Sequence, residues 1–215
     1  MEVARECYGD KDGQFYLFPA DIHGSCREVN AALLKNAISA DDLAEWLRPI
    51  DVGEMTFVLD SCQSASSVEA NDFKPGSMGR RGLGQLAYDK RIRILAASQG
   101  NQEARETNLL ASAGAEASQE KVRGLLSYAL TDEGLLAGKA DWKPVDGKIT
   151  VGEWLTYAAD AVPNGLQAGG LQTGRGFLTV EEKPGTVEAT QTPAVFDFSK
   201  KDSFVLEEKK EPAKP

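Results

Sequence analysis

The sequence predicts an α/β fold, with a mainly parallel sheet covered by helices on both faces. Three observations predict it. Two apolar runs, Met55 to Leu59 and Ile92 to Ala97, are too short for helices and give way to polar residues, the mark of buried strands. Two amphipathic stretches stand behind helix-start signals, Ser39-Ala40-Asp41-Asp42 and Thr150-Val151-Gly152-Glu153. Strand and helix signals also alternate along the chain, as crossover connections in a parallel sheet require.

Taken in order, residues 1–12 read as an unstructured start, or as the remnant of a preceding part of the domain. Gln14 to Phe18 is aromatic and β-prone, preceded by the turn pair Asp12-Gly13 and closed by Pro19, and predicts a short strand or half-hairpin. Ser39 is placed to cap a helix whose first turn carries Asp41 and Asp42 and whose apolar stripe is Leu43, Trp46, Leu47 and Ile50. Met55 to Leu59 is the first buried strand. Asn71 to Gly84 is rich in glycine and charge and predicts a loop. Ile92 to Ala97 is the second buried strand, and Asn108 to Glu120, small and polar, predicts a connection.

Leu125 to Leu136 is apolar enough for a core helix, and Asp146-Gly147 is a turn signal. The capping box at Thr150 opens a helix with the stripe Trp154, Tyr157, Ala158, Ala161 and Val162, which Pro163-Asn164-Gly165 is expected to end. Phe204 to Leu206 predicts a last strand, and 208–215 a disordered tail. There is no internal repeat, and the expectation is one domain over 13–207. Two core strands alone would leave apolar sheet edges uncovered, which predicts that the chain begins partway through a domain.

The 215 residues carry a net charge of −9, which argues against nucleic acid or an anionic membrane as partner, since both demand a basic face. No apolar run approaches the ~20 residues that cross a bilayer, and Met1 to Arg5 does not open a signal peptide. Cys7, Cys26 and Cys62 are too few and too irregularly spaced for a disulfide framework or a metal cage. A reducing compartment, the cytoplasm by default, is therefore expected.

The most informative stretch is Phe57-Val58-Leu59-Asp60-Ser61-Cys62-Gln63-Ser64-Ala65. A buried strand that ends on Asp-x-Cys delivers an acid and a thiol to the carboxyl edge of a sheet, where ligands bind in open α/β folds. This segment resembles the nucleophile strand of the caspase-like cysteine peptidases, the group that includes metacaspases and many bacterial relatives. Further segments resemble that family in the expected order. Gly13 to Asp21 is similar to the segment that follows the family's catalytic histidine, and Ala37 to Leu43 to its next helix. Ile94 to Ser98, with Gln102, Glu103, Ala104 and Glu106, resembles the following strand and its loop. Gly124 to Leu130 and Ile149 to Trp154 resemble the later helices, and Gln191-Thr192-Pro193 the closing segment. The likeness spans about residues 13 to 207. Two departures stand beside it. Gln63-Ser64-Ala65 replaces the family's His-Ser-Gly after the cysteine, and no His-Gly precedes Gln14.

The resemblance implies a caspase-like three-layer sandwich, truncated at the amino terminus, and a cysteine endopeptidase acting on a peptide or protein substrate without a required cofactor. Such chemistry needs a thiolate, an imidazole to move its proton, and backbone N–H groups for the oxyanion. Cys62 would be the nucleophile, the alternative being an inert cysteine at a strand end. His23, followed by Gly24, is the sequence's single histidine. It is the one candidate base in the chain, or else a solvated loop histidine, in which case the imidazole belongs to a missing amino-terminal segment of the same domain and this chain alone is inactive. Asp60, by resemblance to metacaspases, would line the pocket for the side chain before the cleaved bond and favour arginine or lysine; otherwise it is an acid hydrogen-bonded at a strand end. Asp21, Asp41, Asp42 and Glu69 match positions that resemble a calcium site in some metacaspases, against a helix-start role for Asp41 and Asp42. Lys74, Arg80 and Arg81 are basic loop sites where such an enzyme would cut itself. The competing reading from another class is a non-catalytic caspase-like module that binds protein partners.

Overall fold

The computed structural model describes residues 6–9, 15–18, 31–61, 64, 83–99, 102, 104, 106–109, 121–167, 172–173, 176–177, 191–199 and 204–208. In chain order the elements are β1 (Glu6–Gly9), β2 (Phe15–Phe18), α1 (Ala31–Leu34), β3 (Ile38–Ser39), α2 (Ala40–Leu47), β4 (Thr56–Leu59), α3 (Leu83–Lys90), β5 (Arg93–Ala96), β6 (Glu106–Leu109) and β7 (Lys121–Gly124). Next come α4 (Leu125–Tyr128), which runs on as a π-helical segment (Ala129–Leu136), β8 (Lys148–Thr150), α5 (Val151–Gln167), β9 (Gln172–Thr173), β10 (Gly176–Phe177), β11 (Ala194–Asp197) and β12 (Val205–Glu208). The chain forms two compact units. The first takes Met1–Ala104 and Ala189–Lys200, the second Arg105–Glu188 and Lys201–Pro215.

In the first unit β4 and β5 pair in parallel, with Phe57 beside Ile94 and Leu59 beside Ala96, and β11 pairs antiparallel with β5 from the other side. The α/β class is therefore present, but the expected mainly parallel sheet is a small mixed one among the described strands. β4–β5 is the single parallel pairing there, because β11 returns from far along the chain to run against β5. Every residue of β5 is buried: Ile94, Leu95 and Ala96 as apolar side chains, Arg93 as a paired cation. One core gathers Phe15, Ala40, Ala44, Leu59, Leu83, Leu86, Ala87, Ile92 and Ile94, with Leu47 and Phe57 packed against it.

Ser39 caps α2 as expected: its Oγ accepts from the Asp42 N–H (3.1 Å), and its own N–H and O–H donate to Asp42 Oδ2 at 2.8 and 2.6 Å. These bonds, the hydroxyl's first, hold the Asp42 carboxyl below its ordinary pKa. The buried face of α2 is Ala40, Leu43 and Ala44 with Leu47 beside them, while Trp46 and Ile50 are exposed. Ala40 and Ala44 thus take the places on the buried face expected for Trp46 and Ile50, the stripe lying one turn earlier in the chain, and both alanines join the core. α3 begins at Leu83, inside the stretch expected to be loop. Arg91 ends it in the left-handed region (φ 59°), with Ile92 N–H donating to Ala87 C=O at 2.8 Å.

Arg93, only 1% exposed, holds the three strands together. Its Nη1 reaches Glu54 Oε2 (2.9 Å) just before β4, and its Nε reaches Asp197 Oδ2 (3.2 Å) at the end of β11. Burial raises the Asp197 pKa, but hydrogen bonds from Ser199 and the Arg93 charge outweigh it and leave the carboxyl below its ordinary value.

β1 pairs with β2 across Cys7 and Leu17, and β3 adds to β2, so the expected half-hairpin is a full one. The strand Glu6–Gly9 replaces the unstructured start expected over 1–12, because the β-prone run at Phe15 needs a partner.

In the second unit, β6 and β7 form an antiparallel pair on either side of residues 110–120, which lie outside the described residues together with the bulk of the loop over 71–84. β12 pairs with β8 and reaches Glu208, into the expected tail. The capping box forms at α5: Thr150 N–H and O–H donate to Glu153 Oε2 at 2.9 and 2.8 Å, and Thr150 Oγ1 accepts from Glu153 N–H. Its buried face is Val151, Leu155, Ala158 and Val162, with Trp154 and Tyr157 half-buried beside it. Pro163 does not end the helix, which continues to Gln167. Its ring fits a helical φ, so it lies inside the helix at the cost of one backbone donor. Gly147 turns the chain at φ 83°.

These contacts set two expected outcomes. Arg93→Ala is expected to lower unfolding free energy by about 2–3 kcal/mol in urea titration, since it empties a buried site, while the partly exposed Glu54 and Asp197 carboxylates return to water. Asp42 has a depressed folded-state pKa, so its contribution is fully present above the unfolded value of about 3.9 and is lost as pH falls through the folded value. The stability gap between the native chain and Asp42→Asn is therefore expected to close on acidification below about pH 4, and chemical unfolding at a series of pH values measures it.

Candidate functional site

Parallel strands in register end level with each other, so the residues leaving β4 and those leaving β5 share one rim. Leu59 stands beside Ala96, and Ala97 N–H extends the ladder to Leu59 C=O at 2.9 Å. Asp60 and Ser61 leave β4 at this rim and Ala97 and Ser98 leave β5. Small polar side chains then fix the turn. Ser98 N–H donates to Ser64 Oγ (3.2 Å), and Ser98 Oγ lies 3.4 Å from Ser61 C=O and 3.1 Å from Gln102 C=O, able to donate to either. Ser64 and Ser98 are both fully buried. The chain therefore leaves at Ser61 and returns at Ser64 with both points held by one residue of the neighbouring strand end.

A second tie comes from the segment before β11. Gln191, fully buried, donates from Nε2 to Ala97 C=O at 3.0 Å. Thr192 N–H donates to Gln102 Oε1 (2.8 Å), and Gln99 Nε2 donates to Thr192 C=O (3.3 Å). The Ser61 hydroxyl is buried and has no hydrogen-bond partner among the described residues. Chemically this is a rim that gathers an acid, Asp60, a hydroxyl without a described partner, Ser61, and backbone amides at the ends of two strands.

Of the residues singled out in the sequence, Asp60 lies on this rim, half-buried at the carboxyl end of β4. Cys62, His23, Asp21 and Glu69 lie outside the described residues, as do Lys74, Arg80 and Arg81. Asp42 is committed to its cap, and Asp41 beside it is exposed. Among the described residues no group of three or more His, Cys, Asp or Glu side chains is placed to hold a metal ion.

Sequence reasoning named Ser98, Gln102, Gln191 and Thr192 only as parts of resembling segments and assigned none of them a role. Their partners lie far along the chain, 34 residues apart for Ser98 and Ser64 and 94 for Gln191 and Ala97, and no local period signals such pairs.

The second unit carries a polar cluster of its own, also without a sequence signal. Glu133, on the π-helical segment and 3% exposed, is paired with Lys139 and accepts from Tyr157 O–H at 3.4 Å. Burial, then the Glu133 charge, pushes the Tyr157 phenol well above its ordinary pKa. Trp154 Nε1 donates to Leu130 C=O (2.8 Å), and a Cβ on Gly134 would come within 3.3 Å of the Trp154 ring, so the glycine permits that approach.

Ser64→Ala leaves the buried Ser98 amide without its acceptor and is expected to cost about 1–3 kcal/mol. Ser98→Ala, which removes a shared hydroxyl bond, is expected to cost about 1 kcal/mol. Urea unfolding of the two variants checks the order.

Compared with known families and curated proteins, the chain matches no family model and no curated protein.

Proposed function

We propose that this chain is the carboxyl-terminal part of a caspase-like cysteine endopeptidase with a three-layer α/β sandwich, in which Cys62 attacks a peptide carbonyl and Asp60 favours arginine or lysine before the cleaved bond. The observation that supports the reading is the position of Asp60-Ser61, directly after a strand paired in parallel with a fully buried neighbour. Carboxyl ends of such strands are where α/β folds bind ligands. The thiol must lose its proton to an imidazole and the leaving amine must regain it. His23, the single histidine in the sequence, follows Phe15 to Phe18 where the family's catalytic histidine precedes the matching segment, so the imidazole is assigned to a separate segment of the same domain, and the chain alone is slow.

A second reading, a non-catalytic caspase-like module, draws support from the same histidine count and from Gln63 in place of the family's histidine. The test is release of a fluorophore from peptides ending in arginine, lysine or aspartate, with the chain alone and with the polypeptide encoded upstream. With that polypeptide, the basic substrates should be cleaved at least tenfold faster than the acidic one. Cys62→Ala should abolish the rate, and Asp60→Asn should reduce the basic preference about tenfold. Turnover that survives Cys62→Ala overturns the peptidase reading, and an equal rate on all three peptides overturns the role given to Asp60. Fast Cys62-dependent turnover by the chain alone overturns the separate imidazole.

A further inference from the structure

The peptide between Ala97 and Ser98 is held at both of its polar ends. Its C=O accepts from Gln191 Nε2 at 3.0 Å, and its N–H donates to Ser64 Oγ at 3.2 Å. The bond is trans, so these two groups point in opposite directions and their partners lie on opposite sides of it. Ser64, Ser98 and Gln191 are all fully buried. A buried peptide group keeps its partners, because losing one costs about as much as a hydrogen bond, so the orientation of this peptide is tied to both side chains. The same strand end also holds the chain leaving β4. Leu59 C=O accepts from Ala97 N–H at 2.9 Å, and the Ser98 hydroxyl lies 3.4 Å from Ser61 C=O. Between Ser61 and Ser64 the sequence has only Cys62 and Gln63. Three residue steps reach about 10 Å at most, so a link this short passes on a shift of either anchor.

We propose that Ser64 is a positioning residue for the Cys62 thiol, and that Gln191 acts on it through the Ala97–Ser98 peptide. Ser64 anchors the chain two residues after the nucleophile and so sets where the thiolate stands relative to the carbonyl it attacks. The role is one of geometry and not of proton transfer. Reacting atoms must approach within about 3–3.5 Å in line, and a displacement of about 1 Å costs as much as 10²-fold in rate. The inference rests on the peptidase reading and adds a control to it. That control begins in the segment before β11, 94 residues beyond the strand end it acts on.

The test compares variants of the full chain, each with the polypeptide encoded upstream, on the arginine-ending peptide. Circular dichroism first identifies the variants that are fully folded at the assay temperature. Ser64→Ala should lower kcat about tenfold or more and leave KM within about threefold, because the substrate still binds and the attack is misaimed. Gln191→Ala should show the same split with a smaller loss. Ser64→Thr, which keeps the hydroxyl, should restore most of kcat. A purely structural Ser64 would lower stability and leave kcat of the folded enzyme unchanged. The proposal is overturned if folded Ser64→Ala keeps kcat within about twofold of the native value, if its loss lies in KM, or if folded Ser64→Thr restores nothing. Where Ser64→Ala does not fold, Gln191→Ala carries the test, and an unchanged kcat there overturns the proposal. Cys62-dependent turnover by the native enzyme separates the two readings. Its absence removes both, whereas its presence with kcat unaltered in Ser64→Ala removes this one alone.

Discussion

The buried Arg93 guanidinium is the constraint on which the first unit depends. It draws one carboxylate from the approach to β4 and one from the end of β11 onto the central strand. A charge inside a sheet is tolerable only when it is paired, so any slip of register between these strands would leave it bare. Register in turn decides which side chains face the core, because a one-residue shift turns every side chain over. The level ends of β4 and β5, and hence the rim that carries Asp60, result from that pinning.

Above the pinned sheet the rim is held by hydrogen bonds of ordinary length between small polar groups. Ser98 is central to them: it sits on one strand end and bonds residues on both sides of Cys62 in the sequence, and the buried Gln191 amide holds the peptide before it. Asp60 enters the same rim as the residue before Ser61.

Much of this architecture was legible locally. The capping boxes at Ser39 and Thr150, the strands at Phe15, Phe57 and Ile94, and the turn at Gly147 all formed as expected, because each is specified by neighbours within four residues. The departures were equally physical. Ala40 and Ala44 carry too little hydrophobic signal to outweigh Trp46 in a pattern, yet they are the residues of α2 that join the core. Pro163 is a stop signal by statistics, but its φ is helical. The antiparallel return of β11 and the ties from Ser98 and Gln191 join residues far apart in sequence, where no periodicity operates. Of the site itself, Asp60 was legible from its place after an apolar run, whereas the clamp around it was not.

The two units are interleaved in sequence: the first is interrupted by the second, and the second is completed by residues beyond the first's last strand. Arg93 and Asp197 stand 104 residues apart. A ribosome must therefore deliver nearly the whole chain before either unit can be finished, and until then the central strand carries a buried-type cation with half its counter-charge still unsynthesised. Closing so long a loop adds only logarithmically to the entropy lost, but it delays the event. The emerging chain thus has an interval in which β5 lies uncovered on its β11 side, a window in which chaperone contact and misassembly compete with completion.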